Sequence, residues 1–180
     1  METTDSWENY EPNKVTIDSA SINNSGRYFV EIIHEGCVIE GGSVDVQIIE
    51  PPLPPCSVSN NSSTSTLGGV GGTTYTSVSH SGGIYYSVYA SGGINQTINF
   101  IFKGTPKPGM YLVDQGYYPS ESDHAAVYIQ SGFYDFFMES YHTVYVNEVN
   151  GKLQFSFCNC HFNNPVGSTE IIISAKVTLP

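Results

Sequence analysis

Positive charge is what this 180-residue chain has least of: six Lys and Arg stand against seventeen Asp and Glu, a formal net charge of -11. A surface of that sign repels phosphate backbones and anionic headgroups, so nucleic acid is not an expected partner. Charge of either sign is sparse, at 13% of residues, and helix formers are few beside eighteen Gly and abundant Ser, Thr, Asn, Tyr and Val. That is the composition of strands and turns. No apolar run nears the roughly 18 residues of a membrane-spanning helix, so no membrane insertion is expected. Met1 is followed by Glu2 and Asp5, where an export signal is basic and then apolar, so any such signal is expected upstream of this stretch. Catalytic motifs are missing as well. There is no G-x-S-x-G elbow and no H-E-x-x-H, and Gly68 to Gly72 lacks the Lys and following helix of a phosphate loop. The chain reads as non-catalytic and free of any cofactor.

What is present divides at Pro51-Pro52-Leu53-Pro54-Pro55, four prolines that favour an extended connector. The expected organisation is a small unit over residues 1–50, a linker over 51–55 and a larger domain over 56–180. In the small unit, strands are expected over Lys14 to Ile22, Arg27 to His34 and Ser43 to Ile49, with turns at Asn23-Asn24-Ser25-Gly26 and Glu40-Gly41-Gly42. In the larger domain about nine short strands are separated by turn clusters at the spacing of an antiparallel β-sandwich or barrel. The firmest hairpin signal is Asn150-Gly151, between Thr143 to Val149 and Lys152 to Phe162, because a type I′ turn needs positive φ twice. Along the second strand, period-2 alternation puts Leu153, Phe155 and Phe157 on a core face. Gln154, Ser156, Cys158 and Cys160 fall on the other.

Four cysteines allow three complete pairings. The pair expected is Cys56 with Cys158, a first strand joined to a late strand that can be its sheet neighbour. Cys158 with Cys160 is disfavoured, since side chains two apart on one strand cannot readily meet disulfide geometry. Cys158, Cys160 and His161 form a C-x-C-H string, but alternation points His161 away from both cysteines, and no metal site is expected there. Asp114, Glu121, Asp123, Asp135 and Glu139 could supply calcium oxygens, yet no D-x-D-x-D-G loop accompanies them and solvated edges are the expected use. Nine tyrosines of the larger domain, Tyr75, Tyr85, Tyr86, Tyr89, Tyr117, Tyr118, Tyr128, Tyr134 and Tyr141, exceed what its core should bury. Exposed tyrosines suit stacking on sugar rings or packing in protein interfaces, and Tyr117-Tyr118 in an expected loop is the foremost ligand-binding pair.

The run Asn24-Ser25-Gly26-Arg27-Tyr28 resembles the tyrosine corner of immunoglobulin-like domains. With Gly36-Cys37 and Ser43-Val44-Asp45-Val46 it resembles the Ig-like modules of Bacteroidota cell-surface and gliding-associated adhesins. That resemblance implies a structural role for Tyr28, strand C at Trp7, absent strands A and B, and an unpaired Cys37. The stretch from Cys56 to Pro180 resembles a C-terminal β-sandwich domain of exported Bacteroidota proteins, through Ile98-Asn99-Phe100-Ile101-Phe102, Gly109-Met110-Tyr111-Leu112, Ser131-Gly132-Phe133-Tyr134 and Asn150-Gly151-Lys152-Leu153. Together they imply a partial Ig-like unit followed by a β-sandwich, a piece of a larger secreted or cell-surface protein. Its expected function is structural or adhesive, with protein or glycan partners at the cell surface. The alternative is a carbohydrate-binding module working through an exposed tyrosine face.

Overall fold

The computed structural model describes residues 25–34, 37–47, 53–66, 72–93, 95–166 and 169–180, with 29–34 and 37–41 described by their backbone alone. The chain divides into two units, Met1–Glu50 and Pro51–Pro180. All regular structure among the described residues is β-strand.

In the first unit, β1 (Gly26–His34) and β2 (Cys37–Val46) form an antiparallel pair. The expected turn at Glu40-Gly41-Gly42 is instead internal to β2. Phe29 pairs with Ser43 and Glu31 with Glu40, so Gly41 and Gly42 sit in an irregularity of the ladder. A glycine pair inside a strand marks a bulge as readily as a turn, and here the neighbouring ladder decides for the bulge. Trp7, the expected strand over 14–22 and the side chain of Cys37 lie outside the described residues. Tyr28 stands on β1 opposite Val44, and the upstream backbone a tyrosine corner would bind is likewise outside them.

The second unit is an all-β, sandwich-like fold built from one large sheet of eleven strands: β3 (Ser62–Ser65), β4 (Thr73–Thr74), β5 (Ser77–Ser81), β6 (Tyr85–Gly92), β7 (Gln96–Lys103), β8 (Gly109–Val113), β9 (His124–Ser131), β10 (Tyr134–Met138), β11 (Thr143–Val149), β12 (Lys152–Asn163) and β13 (Glu170–Thr178). One half runs β4-β3-β13-β12-β11-β8 and the other β9-β7-β6-β5. They are joined through β8 and β9, and again by β10, which pairs with both β9 and β12. Every ladder but one among the described residues is antiparallel, as expected: β8 and β9 pair in parallel, Leu112 with His124 and Val113 with Ala125.

The core forms where inward residues of the two halves meet. Phe100 of β7 packs against Phe155 and Phe157 of β12 at ring-centroid distances of 5.7 and 5.8 Å, and Phe102 against Phe155 at 5.5 Å. All four phenylalanines are fully buried. Offset rings at such distances add to the large apolar area they remove from water. The hairpin forms at Asn150-Gly151 with positive φ at both residues, 54° and 74°, as a type I′ turn requires.

Simple alternation fails further along β12. Asn159 adopts φ 48°, and the ladder to β13 breaks between Phe157 and Cys160. The inserted residue shifts the phase, so Cys160 turns into the core with Phe157 and Phe162 instead of sharing a face with Cys158. Burial pushes the Cys160 thiol up to about 12. Cys56 and Cys158 are joined by a disulfide with Cα atoms 5.7 Å apart. The partner strand is not the expected neighbour: Cys56 lies in a bend before β3, and β3 pairs with β13, not β12.

Candidate functional site: a tyrosine face on the sheet

The second unit's surplus tyrosines divide by strand phase. Tyr75 and Tyr86 belong to the core, where the Tyr75 hydroxyl donates to Ser63 Oγ (3.0 Å) and Tyr86 meets His80 Nδ1 (3.0 Å). Burial raises Tyr75 to about 12. Tyr85 and Tyr89 fall on the opposite phase of β6, and Tyr128 on the opposite phase of β9. Cross-strand register then brings them together: Tyr89 pairs with Asn99 of β7, and Asn99 with Tyr128. On β10, Phe137 pairs with Tyr128 and Asp135 with Gln130. The outer face of β6-β7-β9-β10 is thus an aromatic row with amides between the rings.

The expected pair, Tyr117 and Tyr118, is added to this row by the loop between β8 and β9. Tyr117 stands edge-on to Phe137 (4.7 Å, 88°) and to Tyr128 (5.1 Å, 77°), while Tyr118 packs on Tyr85 at 4.7 Å. Both remain exposed, as does Tyr89. Beneath them β7 is buried on both sides, Ile98, Phe100 and Phe102 completely and Thr97, Asn99 and Ile101 nearly so.

A short set of polar bonds holds the loop. Asp114 Oδ2 accepts from the Ser120 amide (2.6 Å) and hydroxyl (2.7 Å), and Asp114 Oδ1 lies 2.7 Å from His124 Nδ1. Lys103 Nζ donates to the Ser120 carbonyl at 2.7 Å. Partial burial works against the charge on Asp114. The Ser120 amide and hydroxyl and the His124 hydrogen bond and charge outweigh it, so its carboxyl is held below the usual value. The Asp114 hydrogen bond raises His124 in turn, helped by the charges of Asp114, Asp123 and Glu121. Asp135 takes the Tyr117 hydroxyl at 2.7 Å, a bond that raises the phenol.

The remaining sequence candidates find local uses. Glu139 accepts from Asn163 Nδ2, Tyr141 packs on His142, and Glu121 and Asp123 are exposed. His161 meets Glu170, and its backbone N–H donates to His142 Nε2 at 2.8 Å. Among the described residues no group of three or more His, Cys, Asp or Glu is placed to hold a metal ion, and no helix is long and apolar enough to cross a membrane. A hollow of 530 Å³ lies apart from the tyrosine face. Several of its polar groups are taken up with one another: Gln154 Nε2 donates to Thr178 Oγ1 (2.9 Å), Thr178 Oγ1 meets Asn60 Oδ1, and the Thr178 amide donates to Asn61 Oδ1 (2.8 Å).

Sequence reasoning singled out Tyr117 and Tyr118 but left Tyr85, Tyr89, Tyr128, Asn99 and Asp135 unassembled, because they converge through strand register. The signal that could have found them is odd-even phase: Tyr85 and Tyr89 are out of phase with the apolar Tyr86, Val88 and Ala90 on β6. No protein-family model matches the chain, and no curated protein or solved structure matches it either.

Proposed function

We propose that this chain is a non-catalytic, exported adhesive module, part of a larger cell-surface protein of the kind its sequence resembles, and that it binds carbohydrate through the tyrosine face. The observation that carries the reading is the aromatic row of Tyr85, Tyr89, Tyr117, Tyr118 and Tyr128 on one side of a rigid sheet. Sugar rings present flat C–H faces that pack on aromatic rings, and hydroxyl edges that need donors and acceptors beside them. The exposed Gln130 and the phenol groups supply both. A tyrosine loses little conformational freedom on binding, and a row fixed by strand register is already organised for its ligand. A large hydrophobic interface would need more continuous apolar surface than a row punctuated by amides provides.

Retention on immobilised polysaccharides tests the reading, comparing the chain with the Tyr117→Ala/Tyr118→Ala double variant and with Tyr89→Ala. Loss of these rings should weaken retention about tenfold while the far-ultraviolet circular dichroism stays unchanged. Absence of retention on every polysaccharide, or equal retention by all three proteins, would refute it.

A further inference from the structure

At the β10 end the tyrosine face opens into a pocket of 180 Å³ lined by Tyr117, Phe133, Tyr134, Phe137 and Asp135, closed on one side by the segment Asn164 to Val166. Four of these residues are aromatic. Phe133, at the tip of the β9–β10 turn, is fully exposed (102%), and Tyr134 is exposed beside it. A phenylalanine held entirely in water gains nothing in the free protein, which is the condition of a wall waiting for an occupant.

The single charged group in the lining is the Asp135 carboxylate. Its Oδ2 is used by the Tyr117 hydroxyl, whereas Oδ1 is buried with no hydrogen-bond partner. No Lys, Arg or His lines the pocket, and no ion pair to Asp135 occurs among the described residues. A carboxylate set among ring faces attracts a cation twice, through its own charge and through the ring quadrupoles. It repels an anion for the same reasons, and the chain's net charge of -11 acts in the same direction.

We propose that this pocket receives a primary ammonium group carried on the glycan, so that the ligand class is a polysaccharide with free amino sugars. The inference rests on the carbohydrate reading above. The shared residues join the two parts: Tyr117 and Asp135 belong both to the pocket and to the aromatic row, so a chain lying on Tyr128 and Tyr117 brings its next sugar to Asp135. A 2-amino sugar offers a ring for the tyrosine and N–H donors for the carboxylate. N-acetylation removes the charge and one or more of the donors.

Titration calorimetry with three hexasaccharides tests it: the glucosamine oligomer, its fully N-acetylated form and the neutral glucose oligomer. Each is run at low salt against the chain, Asp135→Asn and Tyr89→Ala. The expected result is binding of the glucosamine oligomer about tenfold tighter than the other two. That preference should disappear in Asp135→Asn, whose amide still accepts the Tyr117 hydroxyl, and survive in Tyr89→Ala at lower overall affinity. Equal binding of all three oligomers, unchanged by Asp135→Asn, overturns the ammonium pocket and leaves the carbohydrate reading standing. Failure of all three to bind, while free lysine or tetramethylammonium binds and is lost in Asp135→Asn, overturns both and makes the pocket a site for a non-sugar cation.

Discussion

The two halves of the large sheet share one core and treat their outer faces in opposite ways. On β12 and β13 most of the outward polar groups are spent on the protein itself, Ser156 Oγ excepted: Gln154 bonds Thr178, the Asn159 amide donates to Ser174 Oγ (2.8 Å), and the disulfide fastens Cys158. On β6, β7, β9 and β10 the outward side is a row of rings, with three of its tyrosines exposed. A face whose polar groups bond one another gains little from a partner, whereas exposed rings gain from being covered. The contrast is what sets the proposed binding surface on one side of the sheet.

Removing what the halves share should do the most damage. Phe157→Ala deletes a fully buried ring packed on Phe100 and Phe162, and should cost about 3 to 5 kcal/mol in urea denaturation. Next comes the fastening of the polar half. Replacing Cys56 and Cys158 together by Ser, or reducing them, releases a link spanning 102 residues and should cost about 2 to 4 kcal/mol. Where the protein stays folded, ligand binding should be untouched, and a matching loss of affinity would mean the two faces are not independent. A smaller effect is expected where β4 and β6 come together. A Cβ on Gly92 would lie 2.0 Å from the Thr74 carbonyl oxygen, so Gly92→Ala forces the β4 backbone away and should cost about 1 to 3 kcal/mol.

The mildest perturbation is pH, and it should act on the tyrosine half alone. Asp114 is lowered, so its contribution is present above its ordinary value and lost as pH falls through the depressed one. His124 is raised, so its contribution is full below its ordinary value of 6.5 and lost as pH climbs through the elevated one. The protection factors of the amides in the loop carrying Tyr117 and Tyr118, their exchange relative to the intrinsic base-catalysed rate, should therefore be highest in mildly acidic solution and fall toward pH 8. His124→Gln should remove most of that dependence at a stability cost of about 1 kcal/mol. Equal pH sensitivity in the amides of β12 and β13 would contradict the assignment to this bond.

Much of the framework was legible in the chain itself. Asn150-Gly151 specifies its turn chemically, alternation marked Phe155 and Phe157 as core, and the Cys56 and Cys158 pair forms although its ground, a first strand beside the strand of Cys158, does not hold, since β3 pairs with β13. Two of the misreadings share one cause, an extra residue inserted in a strand. Gly41 and Gly42 look like a turn when only their own conformational freedom is weighed, and Cys160 looks outward until Asn159 takes a positive φ and resets the phase. Whether a residue pairs or bulges is decided by the partner strand, which local sequence does not contain. The candidate site was half visible for the same reason. Tyr117 and Tyr118 are neighbours in sequence, but Tyr89, Asn99, Tyr128 and Asp135 become neighbours only through three ladders.

The parallel pairing of β8 and β9 has a consequence for how this surface could change over generations. Antiparallel neighbours can be joined by two residues, but parallel ones oblige the chain to travel back before it pairs again. The segment between Val113 and His124 is therefore a topological necessity, and the sheet must maintain a sizeable loop there whatever its sequence. With Asp114, Ser120 and His124 fixing the segment, its exposed residues can be replaced without altering the scaffold. The fold thus keeps a loop at the edge of its tyrosine face whose exposed positions can change while the remaining strands stay as they are.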